Sequence, residues 1–218
     1  MNVQYRPRAC LVPLVLSLAL AAAATGIASA DELGTAPSSP TFDFDRAAEH
    51  PLIEFTVRHD ELVDEDPTPL LRLYGDGSVH VHVPIYMKGA GTYRMSMSDA
   101  ALEALLSSLA SHGVLDFEHD RVVAAKDVAE QSRHARDGSW IHISDTSWTL
   151  IRVRLDRYDP QGTGLDAGPL DRQIRWPDVD WHAEHYPNVA AISGLAEAQR
   201  TLVALIDSAK RTPAFEEN

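Results

Sequence analysis

Apolar and polar residues alternate with a period of two in several stretches of this chain, and recur with a helical period in two others. Ile53, Phe55 and Val57 alternate with Glu54, Thr56 and Arg58 over residues 52–58, which predicts a strand with one apolar and one charged face. After the acidic break at 60–69, Leu70-Leu71-Arg72-Leu73-Tyr74 and Ser78-Val79-His80-Val81-His82-Val83 flank Gly75-Asp76-Gly77. A three-residue loop with Gly77 in the left-handed region sets Leu73 opposite Val79 and Leu71 opposite Val81, so the apolar residues of both strands share a face. A two-residue loop would set Leu73 against His80, and the three-residue hairpin is therefore the expectation. Residues 84–91 read as irregular, and Thr92 to Met97 as a third strand with Tyr93, Met95 and Met97 on one side.

Ser98 has the chemistry of an N-cap, and Leu102, Leu105, Leu106 and Leu109 follow at helical spacing until Gly113. Val114, Leu115 and Phe117 are expected to turn back onto the core, and a weaker helical pattern runs over 121–133. A second hairpin is predicted from Ser139–Ser144 and Trp148–Tyr158, with Ile143 opposite Thr149 and Ile141 opposite Ile151. The Gly- and Pro-rich stretch 159–169 predicts a long surface loop. The chain then passes through Ile174-Arg175-Trp176-Pro177 and a polar stretch to Tyr186-Pro187. It closes with a helix over 193–210, where Leu195, Gln199, Leu202 and Ile206 form one stripe. Hairpins interspersed with helices predict an α+β fold, an antiparallel sheet built from hairpins with two or three helices packed on one face.

The N-terminus carries a different pattern. Arg6 and Arg8 precede an uncharged apolar run from Ala9 to about Ala24, and Ala28-Ser29-Ala30 supplies the small-x-small pattern of a signal-peptidase site. The expectation is a cleaved signal over 1–30, a disordered acidic tether over 31–51 in which Phe42 and Phe44 dock briefly, a single domain over 52–210 and a flexible tail over 211–218. Such a product is periplasmic or secreted, with no membrane span after cleavage. Its only cysteine, Cys10, leaves with the signal, so packing rather than disulfides holds the fold, as a monomer. The net charge of −13 becomes more negative without Arg6 and Arg8, and opposes nucleic acid and anionic lipid surfaces, which both need a basic footprint.

Ten histidines make metal binding a question for this sequence. His80 and His82, two apart on one strand, point the same way and could share a zinc, copper or nickel ion, with His142 as the third ligand if the hairpins are neighbours. His182 and His185, three apart, form a second and weaker pair. Alternating Val-His is equally the pattern of a half-exposed strand, so the main expectation is no cofactor. The non-apolar face of the two hairpins gathers Arg72, Tyr74, Trp140, Trp148, Arg152 and Arg154, stacking and cationic groups suited to an anionic or sugar-like ligand. No Gly-x-Ser-x-Gly, His-Glu-x-x-His or glycine-rich phosphate loop is present. The sequence therefore reads as an exported, non-catalytic binding or accessory protein whose partner is a small molecule, a glycan or an envelope protein. A periplasmic metal protein using His80 and His82 is the alternative, and an inhibitor of a secreted enzyme, acting through the 84–91 or 159–169 loop, is a third.

Overall fold

The backbone follows the alternation most closely in the first hairpin. The computed structural model describes residues 39–46, 49–59, 66–138, 146–165 and 167–212, all within one compact unit. Seven strands run β1 (Thr41–Asp43), β2 (Ile53–His59), β3 (Leu71–Leu73), β4 (Ser78–Val83), β5 (Gly91–Ser96), β6 (Ser147–Asp159) and β7 (Gly168–Pro177). Between β5 and β6 lie the helices α1 (Asp99–Ser111) and α2 (His119–Asp137); α3 (Val179–His185) and α4 (Ala190–Arg211) follow β7. Among the described residues the result is an α+β fold, one antiparallel sheet with four helices rather than two or three.

β3 and β4 pair as Leu71↔Val81, Arg72↔His80 and Leu73↔Val79, the register of the three-residue loop. Gly77 takes φ 80° in that turn, and a Cβ there would fall 2.4 Å from the Met97 carbonyl oxygen. Every inward residue of this hairpin is buried: Leu71, Leu73, Val79 and Val81 are all 0% exposed. They join Ile53, Phe55, Ile151 and Val153 and the buried leucines of α1 and α4 in a single core cluster. Four inward aliphatics with no exposure, each contributing roughly 1.5–3 kcal/mol of transfer free energy, make this hairpin a major source of the fold's stability. Ser98 caps α1 as its residue type predicts, its side-chain oxygen accepting from the Ala101 amide at 3.3 Å.

β6 departs from the expected hairpin. Its partners are β2 on one edge, in the register Ile53↔Val153 to His59↔Ser147, and β7 on the other, from Trp148↔Pro177 to Leu155↔Leu170. Ser139–Ser144, with Trp140 and His142, lie outside the described residues. With both edges of β6 occupied, the predicted pairings of Thr149 and Ile151 with that segment are not the ones formed. The stretch through Ile174-Arg175-Trp176-Pro177, to which no element was assigned from the sequence, is β7. Its alternation is hard to read because Arg172 occupies an inward register between Leu170 and Ile174, where its Nε donates to the Leu115 carbonyl at 3.1 Å. The 159–165 turn is organised as well: the Asp159 carboxylate, 1% exposed, accepts from the amides of Gly164, Gln161 and Gly162, and these bonds hold its pKa below the ordinary value.

Within the stretch expected to be a tether, β1 pairs with the far end of β6, and the ring of Phe42 stacks on Tyr158 with centroids 5.9 Å apart. Tyr158 is flanked by Phe42 and by Gly168 of β7, so β1 extends the edge that β2 occupies lower down. Thr149, buried at 1% exposure, donates its hydroxyl to the side-chain oxygen of Gln199 on α4, which explains a glutamine on the apolar stripe of that helix.

α1 and α4 meet at a glycine. A Cβ on Gly194 would lie 2.1 Å from the carbonyl oxygen of His112, at the end of α1. Alanine at a helix interior normally gains about 1 kcal/mol over glycine, but a backbone overlap of this kind costs about 1–3 kcal/mol and forces the helices apart. Gly194→Ala is therefore expected to lower the urea midpoint with an unchanged slope. A midpoint equal to or above that of the parent would contradict the close approach.

Candidate functional site

Outward positions of the sheet line up in rows that the register fixes. One row reads Gln173, Arg152, Glu54, Arg72, His80, Arg94 from β7 to β5, and the next rows bring Arg58, Trp148 and Pro177 side by side. The predicted face exists as a set of neighbours, but its members are not equivalent.

The centre of the face is neutralised. Arg152 makes a bidentate pair with Asp171 of β7, at 2.8 and 2.6 Å, and Arg154 reaches Glu54 at 3.1 Å and the Pro51 carbonyl at 3.1 Å. Both guanidiniums, expected to be open to a ligand, are committed to the protein's own acceptors; for Arg152 the reason is Asp171, on the strand not foreseen. The bidentate geometry is the strong form of this interaction, although partial exposure of both partners limits its contribution to stability to about 1 kcal/mol or less.

The histidines separate. His82 Nε2 lies 2.6 Å from Asp66, and the ring of His80 lies 5.0 Å from that of Tyr74, between Arg72 and Arg94. Desolvation and then these two arginines lower the His80 pKa below its ordinary value. Among the described residues no group of three His, Cys, Asp or Glu side chains is placed to hold a metal, and His142 falls outside them. His182 and His185 are occupied in an aromatic cluster. His182 is buried, with Nδ1 2.7 Å from the Pro177 carbonyl and 3.1 Å from the Trp176 indole nitrogen. The shorter contact requires a proton on Nδ1, so His182 donates to Pro177 and the indole contact is a close packing rather than a second bond. His185 stacks on Trp181 at 3.8 Å.

The β7 end of the face is where unmet hydrogen-bonding capacity collects. Trp148 and Arg58 are directly opposed on β6 and β2. The indole Nε1 of Trp148 and the Nε of Arg58 are both buried, and neither meets an acceptor among the described residues. The Arg175 guanidinium lies 4.2 Å over the Trp148 ring, exposed and with no carboxylate at salt-bridge distance among the described residues. A groove of about 800 Å³ opens here, lined among others by His119, Lys126, Trp148, Gln173, Arg175 and Trp176. That volume suits a small ligand. Lys126 contributes less charge than its position suggests, since Asp127 and Glu130 pair with it at 3.2 and 3.1 Å. Among the described residues the groove thus offers an aromatic plate, an amide at Gln173, the unpaired guanidinium of Arg175 and the orphan indole donor of Trp148, with the second orphan donor, Arg58 Nε, on the neighbouring strand β2 outside its lining.

Protein-family models, curated proteins and solved structures provide no match to this chain. No helix among the described residues is long and apolar enough to cross a membrane.

Of the predicted ligand residues, Trp148 lines the groove, Arg72 and Tyr74 stand at the opposite end of the face, Arg152 and Arg154 are consumed between them, and Trp140 lies outside the described residues. Arg175 and Gln173 were not foreseen. Their signal is present in the outward alternation of Gln173, Arg175 and Pro177 around Ile174 and Trp176, and it becomes visible once β7 is recognised as a strand.

Asp66 gives this face a testable acid dependence. Hydrogen bonds from the side chain and backbone of Thr68, then from His82, bring its pKa from 3.8 to about 2. A depressed carboxyl stabilises the fold above its unfolded value, and that contribution is lost as pH falls from 3.8 towards about 2. Thermal midpoints of the parent should fall more steeply through this window than those of Asp66→Asn. Parallel curves would contradict the assignment.

Proposed function

We propose that this protein is an exported, non-catalytic binding protein that takes an acidic, oxygen-rich ligand of the acidic-saccharide type in the groove beside Trp148 and Arg175. The export reading rests on Arg6, Arg8 and the apolar run up to Ala24, followed by Ala28-Ser29-Ala30. The observation that carries the binding reading is the pair of buried donors, Trp148 Nε1 and Arg58 Nε, left without acceptors on adjoining strands. A buried donor without a partner costs about 1–3 kcal/mol; Trp148 lines the groove and Arg58 is its neighbour on β2, so an acceptor supplied by a ligand in the groove would relieve the Trp148 donor first. Arg175 adds the charge that selects an anion over a neutral acceptor. The indole and the apolar wall of Leu150 and Pro177 receive the less polar face of a sugar ring.

A non-catalytic role is supported by two of the groove's ionisable groups, His182 and Lys126, while His119 stands exposed at its rim. His182 is buried against Pro177 with its pKa lowered by desolvation, and Lys126 is paired with two acids. Neither is placed to exchange protons with a ligand at Trp148. An envelope glycan or a small acidic sugar derivative fits this donor set.

Isothermal titration with uronic-acid and sulfated oligosaccharides tests the reading. The parent is expected to bind at least one of them, Arg175→Ala to weaken binding roughly tenfold, in keeping with the loss of one charge-assisted hydrogen bond, and Trp148→Phe to weaken it while the fold persists. Failure of the whole panel to bind, or binding indifferent to both substitutions, would refute it.

A further inference from the structure

The far end of the outward face holds a cluster that the groove does not use. Arg72, His80 and Arg94 sit directly opposite one another on β3, β4 and β5. Adjacent strands are ~4.8 Å apart, so three side chains capable of positive charge span roughly 10 Å. No carboxylate among the described residues lies at salt-bridge distance from Arg72 or Arg94. Glu54, which faces Arg72, is engaged by Arg154, and Asp76, the acid nearest His80 in the turn, accepts from the amide and hydroxyl of Ser78 at 2.8 and 2.6 Å. Cationic groups placed directly opposite each other in a sheet repel and destabilise it. In a chain of net charge −13, only the turn residue Asp76 among the described residues offsets this cluster, through His80.

We propose that Arg72, His80 and Arg94 form a second anion site, separate from the Trp148 groove, that binds a tetrahedral oxyanion of the sulfate or phosphate class. Two guanidiniums on alternate strands flank the anion, and the imidazole between them supplies a further donor. Tyr74 closes the side towards the turn, its ring packed on His80. In the free protein desolvation and the two arginines favour neutral His80, while Asp76 opposes them. A bound anion shifts the local field towards the imidazolium, so binding takes up a proton and tightens as pH falls.

Sulfate is the probe, because its charge does not change across the pH range used. Titration calorimetry at pH 5.5 and 7.5 with inorganic sulfate and with glucose 6-sulfate is expected to show saturable binding, several-fold tighter at the lower pH. Tighter binding of the doubly charged inorganic sulfate would identify the free ion as the ligand, and binding of the singly charged sugar sulfate at least as tight would identify the group carried on a larger molecule. Arg94→Ala, an exposed position on the edge strand that leaves the core untouched, should weaken binding roughly tenfold. His80→Gln should retain binding and lose its pH dependence, which a merely structural role for His80 would leave unchanged. No binding to either probe, or full affinity in Arg94→Ala, would overturn the proposal. Neither substitution touches β6 or β7, so that result would leave the Trp148 reading standing.

Discussion

β6 is the strand on which the rest of the molecule depends. It is thirteen residues long and paired along both edges, with β2 and then β1 on one side and β7 on the other. A strand held on both sides cannot slip by one residue without turning its whole inner set outward. Thr149, Ile151, Val153 and Leu155 therefore stay in the core, and Trp148, Leu150, Arg152 and Arg154 stay on the other face. Thr149 extends the constraint to α4 through Gln199, and Asp178, which accepts from the Ser147 amide at 2.8 Å, ties the start of β6 to the beginning of α3. Asp178 adopts φ 42°, an uncommon conformation for a residue with a side chain, and this bond accompanies it.

That fixed register divides the outward face by charge. In the middle, Arg152 and Arg154 find Asp171 and Glu54, and the result is a neutral, internally satisfied strip. Compensation stops at either end. Towards β7, the buried indole donor of Trp148 and the exposed guanidinium of Arg175 face the groove; towards β5, two arginines flank a histidine. The same sheet thus offers two regions whose chemistry asks for acceptors, separated by a strip that does not. The two proposed ligands, an acidic, oxygen-rich one at the first and an oxyanion at the second, rest on local imbalance rather than on the net charge, which is negative.

The fold was legible where a single face of alternating residues met a turn with one permitted geometry. Leu71, Leu73, Val79 and Val81 could share a face only through the three-residue loop, and the Ser98 cap and leucine spacing marked α1 without ambiguity. Legibility failed where a long-range contact decided the pattern. Arg172 occupies an inward position because the Leu115 carbonyl awaits it, and no local reading of 168–177 contains that partner. With β7 hidden, β6 was assigned the nearest alternating segment in sequence, and Arg175 and Gln173 were lost with it. The candidate site was legible as a face and not as a site, since residue types show which side chains point outward but not which of them their neighbours neutralise.

The most direct measurement is the indole ¹H–¹⁵N resonance of Trp148, followed in a titration of the full chain with uronic-acid oligosaccharides and assigned with Trp148→Phe. If the buried N–H is waiting for an external acceptor, that resonance shifts and saturates with the ligand, while those of Trp176 and Trp181 move less. A Trp148 resonance unmoved by every member of the series would contradict the account.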